Sequence, residues 1–178
     1  MYKRQIKRFA KDSRGVAAVE FALIAPIFLA LILSLFETGW LMTKIALADN
    51  AVSSVGRSIY TGAALSDATI TQDSLKEEIC RQIVIIGDCE NNIELEVITI
   101  NSFNDIPTGG EVCRDSFNGG VQPVATYTPG QSQEISFVRA CITTEIFSPF
   151  IGVGLGLPKN SNDRFEIIST IAFANEPF

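Results

Sequence analysis

Glu20 is the residue in this chain best placed to do chemistry. It sits near the start of an apolar run of about twenty residues, from Val16 to Phe36. A carboxylate in hydrocarbon costs roughly 2.5–3.5 kcal/mol at a helix centre even on lenient insertion scales, so an acid there marks a functional site by default. Five positions earlier lies Gly15, preceded by Arg14. The competing account is that Glu20, one turn into the helix, snorkels to the interface.

Four cysteines form the second candidate group: Cys80, Cys89, Cys113 and Cys141. An even count in an exported domain reads as two disulfides, with three pairings possible. Cys80–Cys89 with Cys113–Cys141 is favoured because the first pair closes a short local loop. Spacings of 9, 24 and 28 match no zinc pattern, and the chain has no histidine. No metal or cofactor is expected. Without histidine the usual general base and the Ser–His and Cys–His dyads are missing. The serines lie in no Gly-x-Ser-x-Gly elbow. Gly152-Val153-Gly154-Leu155-Gly156 lacks the dinucleotide-loop spacing and is followed by Pro158; an apolar loop near the membrane or a partner accounts for it better. Glu94, Glu96 and Glu166 fall at polar strand positions and read as a solvated face. The chain is not expected to be an enzyme. A tethered hydrolase would need a polar cleft with convergent acids.

The elements that must position these residues begin with a basic leader. Residues 1–15 carry a net charge of +5 in a chain whose total is −6, so the remainder holds −11. A basic head, an apolar span and an acidic body follow the positive-inside pattern, with the leader cytoplasmic and the body across the membrane. The acidic body argues against nucleic-acid binding. A secretory signal competes for the N-terminal segment, but the apolar run has the length of a full span and no A-x-A-like site follows Phe36. Pro26 inside the span is a candidate kink.

Ile45, Ala48, Val52, Val55 and Ile59 recur at spacings of 3, 4, 3 and 4. One helix from about Val16 to Tyr60 would be roughly 65 Å long at 1.5 Å per residue. Trp40 and Lys44 read as interfacial anchors. Small residues along the outer half would let another helix approach, or that face packs on the chain's own domain. A second helix is expected over Ser74–Ile86, with Ser74 and Glu77 as a capping box and Gly87 as its stop. Strands are expected at Ile93–Ile100, Ile135–Glu145 and Phe165–Phe173. A long surface loop over 104–133, stapled at Cys113, separates the first two. The fold class is α+β: a long N-terminal transmembrane helix continuing into a small periplasmic head with a second helix and a three- to four-stranded antiparallel sheet. The expected organisation is leader 1–15, transmembrane and extended helix 16–60, and disulfide-bearing head 61–178.

Arg14-Gly15-Val16-Ala17-Ala18-Val19-Glu20-Phe21-Ala22-Leu23-Ile24-Ala25-Pro26 resembles the class III signal of type IV pilins. More narrowly it resembles the opening of the TadE/TadF family, pseudopilins of tight-adherence (Flp, type IVb) pilus systems. Phe21 stands where the major pilins usually carry tyrosine, which points to the minor proteins. Glu37-Thr38-Gly39 resembles the family's acid-x-glycine element at the end of the span, and Phe173-Ala174-Asn175-Glu176-Pro177-Phe178 its close. The 118 residues after Tyr60 fit a minor subunit. The resemblance implies a bacterial inner-membrane protein with a periplasmic C-terminal domain and incorporation in the pilus as a further step. It implies Gly15–Val16 as the processing site, where a glycine backbone can enter a protease without a side-chain clash. It implies Glu20 and Phe21 as assembly residues, with Glu20 pairing with the Val16 amine freed on a neighbouring subunit. Burying both charges together is far cheaper than burying one. Implied partners are the membrane, a prepilin peptidase, other pilins and pseudopilins, and the Tad inner-membrane assembly platform. The implied role is structural, in pilus assembly, adherence and biofilm formation. The alternative is a membrane-tethered periplasmic binding or sensing domain with a preformed pocket.

Overall fold

A computed structural model describes residues 15–67, 70–106, 113–114 and 125–177. The basic leader and most of the expected 104–133 loop lie outside the described residues. Helix α1 runs unbroken over Val16–Tyr60 and continues through Pro26. Its first half, to Phe36, has no buried residue, and one 18-residue window has a mean hydropathy of 2.6. That segment is long and apolar enough to cross a membrane. Its second half is half of a core. Ala48, Ala51, Val52, Val55 and Ile59 are buried, as the 3–4 spacing predicts. The stripe packs on the chain's own domain and takes Ala48, Ala51 and Gly56 with it, while Ala46, Ser53 and Ser54 on the same half of the helix stay exposed.

After a four-residue turn, α2 (Ala63–Ser66), the chain forms α3 (Gln72–Gln82). This helix starts and stops earlier than the expected Ser74–Ile86. Thr71 is the N-cap: its side chain accepts from the Ser74 N–H at 3.2 Å, and the Ser74 hydroxyl accepts from the Thr71 N–H at 2.8 Å. Ser74 therefore occupies the third helical position of a Thr–Ser capping box. The helix ends before Gly87 because the chain leaves helical geometry at Ile83, which lets Ile83 and Ile86 both enter the core at 0% and 4% exposure.

Strands β1 (Ile93–Ile100), β2 (Ile135–Thr144) and β3 (Phe165–Ala174) form an antiparallel sheet in the order β1-β2-β3. The α+β class holds, with a three-stranded sheet among the described residues. Register places Val97 beside Val138 and Ile171, and Ile93 beside Ile142 and Ile167. These side chains share one face, which packs with Val52, Val55, Ile59 and Ile79 into a single core. A fully buried Ile or Val contributes about 1.5–3 kcal/mol, so this face is what fixes the head to the outer half of α1.

The acids on β1 are not a solvated face. Glu94 is 5% exposed and pairs with Lys76 of α3 at 3.0 Å. Glu96 pairs with Arg139, its cross-strand neighbour, at 2.6 Å. Glu166 is half-buried. Alternation told inside from outside only relative to the sheet. Here α3 and residues 125–128 close over β1, Tyr127 forming a parallel bridge to Val97. Burial pushes the Tyr127 phenol pKa up.

Candidate functional site

Among the described residues, nothing packs on the N-terminal end of α1. Gly15 is its N-cap residue, with no atom outside its own backbone neighbourhood within 4 Å of where a Cβ would stand. Val16 is 51% exposed and Phe21 72%. Glu20 is exposed, one turn into the helix, and makes no hydrogen bond or ion pair with any described residue. The described part of the fold therefore leaves Gly15, Val16, Glu20 and Phe21 uncovered.

Seventeen positions beyond Glu20, a second acid behaves oppositely. Glu37 closes the apolar run and is 0% exposed. Its carboxylate accepts from the Phe147 N–H at 2.9 Å, the Ser148 N–H at 2.7 Å and the Ser148 hydroxyl at 2.9 Å. Charge-assisted bonds of this kind are roughly twice as strong as neutral ones. On either side of it the helix makes matching contacts. The Ser34 hydroxyl donates to the Ala30 carbonyl at 2.7 Å and accepts from the Val153 N–H at 3.2 Å. Lys44 Nζ donates to Thr144 Oγ1 at 2.8 Å and to the Glu145 carbonyl at 3.1 Å, and lies 5.9 Å from the Trp40 ring centroid. Helix positions 34, 37 and 44 thus hold segment positions 153, 147–148 and 144–145. The segment after β2 runs antiparallel to α1, down towards the apolar span.

Lys44 is consequently no free interfacial anchor; it is 5% exposed. Sequence reasoning missed both Lys44 and Glu37 as parts of this joint. A signal was available. Counting back from Ala48 by 4, 3 and 4 gives Lys44, Leu41 and Glu37, all on the buried stripe. Their charge hid the period.

The glycine-rich loop belongs to the same joint. Gly152–Leu155 forms a 3-10 turn against α1. Gly152 has φ +60, and a Cβ there would overlap the Ser34 hydroxyl and lie 3.3 Å from the Ala30 carbonyl. Glycine suits both the backbone and the close approach.

The far end of the head is locked by the chain's close. Glu176 N–H donates to the Tyr60 carbonyl at 3.0 Å, and the Tyr60 and Phe173 rings meet edge to face at 6.0 Å. The cysteines pair as favoured. Cys80 is bonded to Cys89, pinning α3 to the turn after it, and Cys113 is bonded to Cys141 on the central strand.

An exposed acid one turn into a bare apolar helix, with glycine at its cap, is the arrangement on which the pseudopilin resemblance rests. Residues 15–57 match the TadE-like protein family. The TadE-like segment begins at the glycine, takes in Glu20, Glu37 and Lys44, and stops within the last turn of α1. The head from 61 to 178, including the close at 173–178, lies beyond it. No curated protein and no solved structure matches the chain.

Proposed function

We propose that this chain is a minor, TadE-like pseudopilin that takes part in assembling a tight-adherence (Flp, type IVb) pilus. The observation that carries the proposal is Glu20, left exposed on a lipid-length helix five positions after a glycine, inside a segment that matches the TadE-like family. The match supports a Tad pilus-related role. One apolar helix near the N terminus, long enough to span and without a second among the described residues, supports single-pass membrane attachment.

In this reading residues 16–36 span the bacterial inner membrane, with the basic leader cytoplasmic and the head periplasmic. A prepilin peptidase cuts after Gly15 and leaves α1 in place. The new Val16 amine and Glu20 then pair between neighbouring subunits, a desolvated contact that neither charge could afford alone. Phe21 packs beside it. The other partners are fellow pilins or pseudopilins and the Tad assembly platform, and adherence and biofilm formation follow from the pilus. The role is structural rather than enzymatic.

Glu20→Ala tests this directly. The variant should insert in the membrane at wild-type levels and fail to support piliation. Normal pili with Glu20→Ala would reduce Glu20 to an acid that merely reaches the interface.

A further inference from the structure

We propose that residues 147–157 form a second membrane contact, an apolar loop that dips into the leaflet on the head side of the bilayer. The inference rests on α1 crossing the membrane and adds a site to it.

Residues 147–158 contain no charged side chain. Phe147, Phe150 and Leu155 are 66%, 71% and 65% exposed, and Ile151 and Val153 are also open. Singly, exposed apolar residues mean little; a contiguous group marks an interaction surface. Continuity with the span identifies the occupant as lipid. The loop is held to α1 at Ser34 and approaches the Ala30 carbonyl. Counting from Val16 at about 1.5 Å per residue, Ser34 stands roughly 27 Å along the helix. A hydrocarbon core is about 30 Å thick, so the loop tip lies at its head-side boundary. Phe147 meets Phe36 edge to face at 5.9 Å, joining the loop surface to the last apolar turn of the span.

Irregular backbone near hydrocarbon needs its hydrogen bonds met by protein, and five of the loop's backbone N–H groups are met in this way. The N–H groups of Phe147 and Ser148 go to Glu37, that of Val153 to Ser34, that of Ile151 to the Ser148 carbonyl and that of Gly156 to the Val153 carbonyl. Lys159 closes the loop, donating to the Pro149 carbonyl and lying 5.7 Å from the Phe150 ring centroid. A cation there can reach the headgroups while its stem lies along the ring. Glu37 and Ser34 thereby set the depth at which the loop meets lipid.

The test uses full-length protein in phosphatidylcholine vesicles with bromine on the upper acyl carbons. Trp40 is the sole tryptophan, so Trp40→Phe gives a silent background. Into it go Phe150→Trp or Leu155→Trp in the loop, Phe28→Trp in the span, and Ile135→Trp at the opposite end of β2. Loop tryptophans should lose emission to brominated lipid as strongly as the span reporter, while the Ile135→Trp protein stays bright. Loop reporters as bright as the Ile135→Trp control, with Phe28→Trp quenched, overturn the loop contact and leave the span standing. Loop reporters shielded from aqueous acrylamide yet unquenched by lipid also overturn it, pointing to a protein cover. An unquenched Phe28→Trp overturns the membrane span and the loop together.

Discussion

Glu37 and Ser148 stand 111 positions apart in the chain and share two hydrogen bonds, of 2.7 Å to the Ser148 N–H and 2.9 Å to its hydroxyl. Through that contact the end of the apolar segment is tied to the segment leaving the sheet. In the proposed membrane-spanning reading, whatever orients α1 therefore also orients the head.

Removing the acceptor should loosen this joint. Glu37→Ala strands two backbone N–H groups and a hydroxyl, and each unsatisfied buried group costs about 1–3 kcal/mol. The denaturation midpoint of the head, followed in detergent micelles, should fall accordingly. Glu37→Gln keeps one acceptor and should fall less. Equal midpoints for both variants and wild type would remove the joint from the account.

Gly152→Ala should act on the same joint from the other side. Its φ of +60 and the overlap with Ser34 both penalise a Cβ. Gly87, with open space at its Cβ position, is the control. Hydrogen exchange at the Val153 amide should speed up in Gly152→Ala and stay unchanged in Gly87→Ala, whose stability should move by no more than about 0.5 kcal/mol. Slow exchange in both would contradict the close packing.

The buried pair Lys76–Glu94 gives a test of electrostatics. Lys76→Met alone leaves a buried carboxylate unpaired, at a cost of about 3–5 kcal/mol, whereas Lys76→Met with Glu94→Leu should recover most of that loss. Urea titration of the three proteins measures the coupling. Additive losses would show that the two side chains act independently.

The two disulfides should differ in worth. Cys113–Cys141 closes the longer loop, with a separation of 28 against 9. Loop-closure entropy predicts about 3.6 kcal/mol for the first and about 2.7 for the second. Paired Cys→Ser replacements, compared by thermal unfolding, should rank in that order. The reverse ranking would mean that local packing outweighs chain entropy.

Much of this fold can be read from periodicity. The 3–4 spacing over 45–59 and the β-branched runs at 93–100, 135–145 and 165–173 place elements within a residue or two because each buries one face. The cap of α3 was harder, since Thr71 and Ser74 are both good capping residues and only the hydrogen bonds choose between them. The polar contacts were least legible. Lys44, Glu37, Glu94 and Glu96 look like surface charges in one dimension, and their partners are 43 to 111 residues away or across a helix–strand contact. Gly15 and Glu20 stand apart: neither has a tertiary partner among the described residues, so the fold adds nothing to what local pattern says of them.

The central claim is that Gly15 and Val16 flank a processing site which frees the amine that Glu20 meets. Intact-mass spectrometry of the chain, expressed with and without a prepilin peptidase, tests it most directly. The account predicts loss of residues 1–15 and a new N terminus at Val16 only when the peptidase is present. An N terminus unchanged by the peptidase would contradict it.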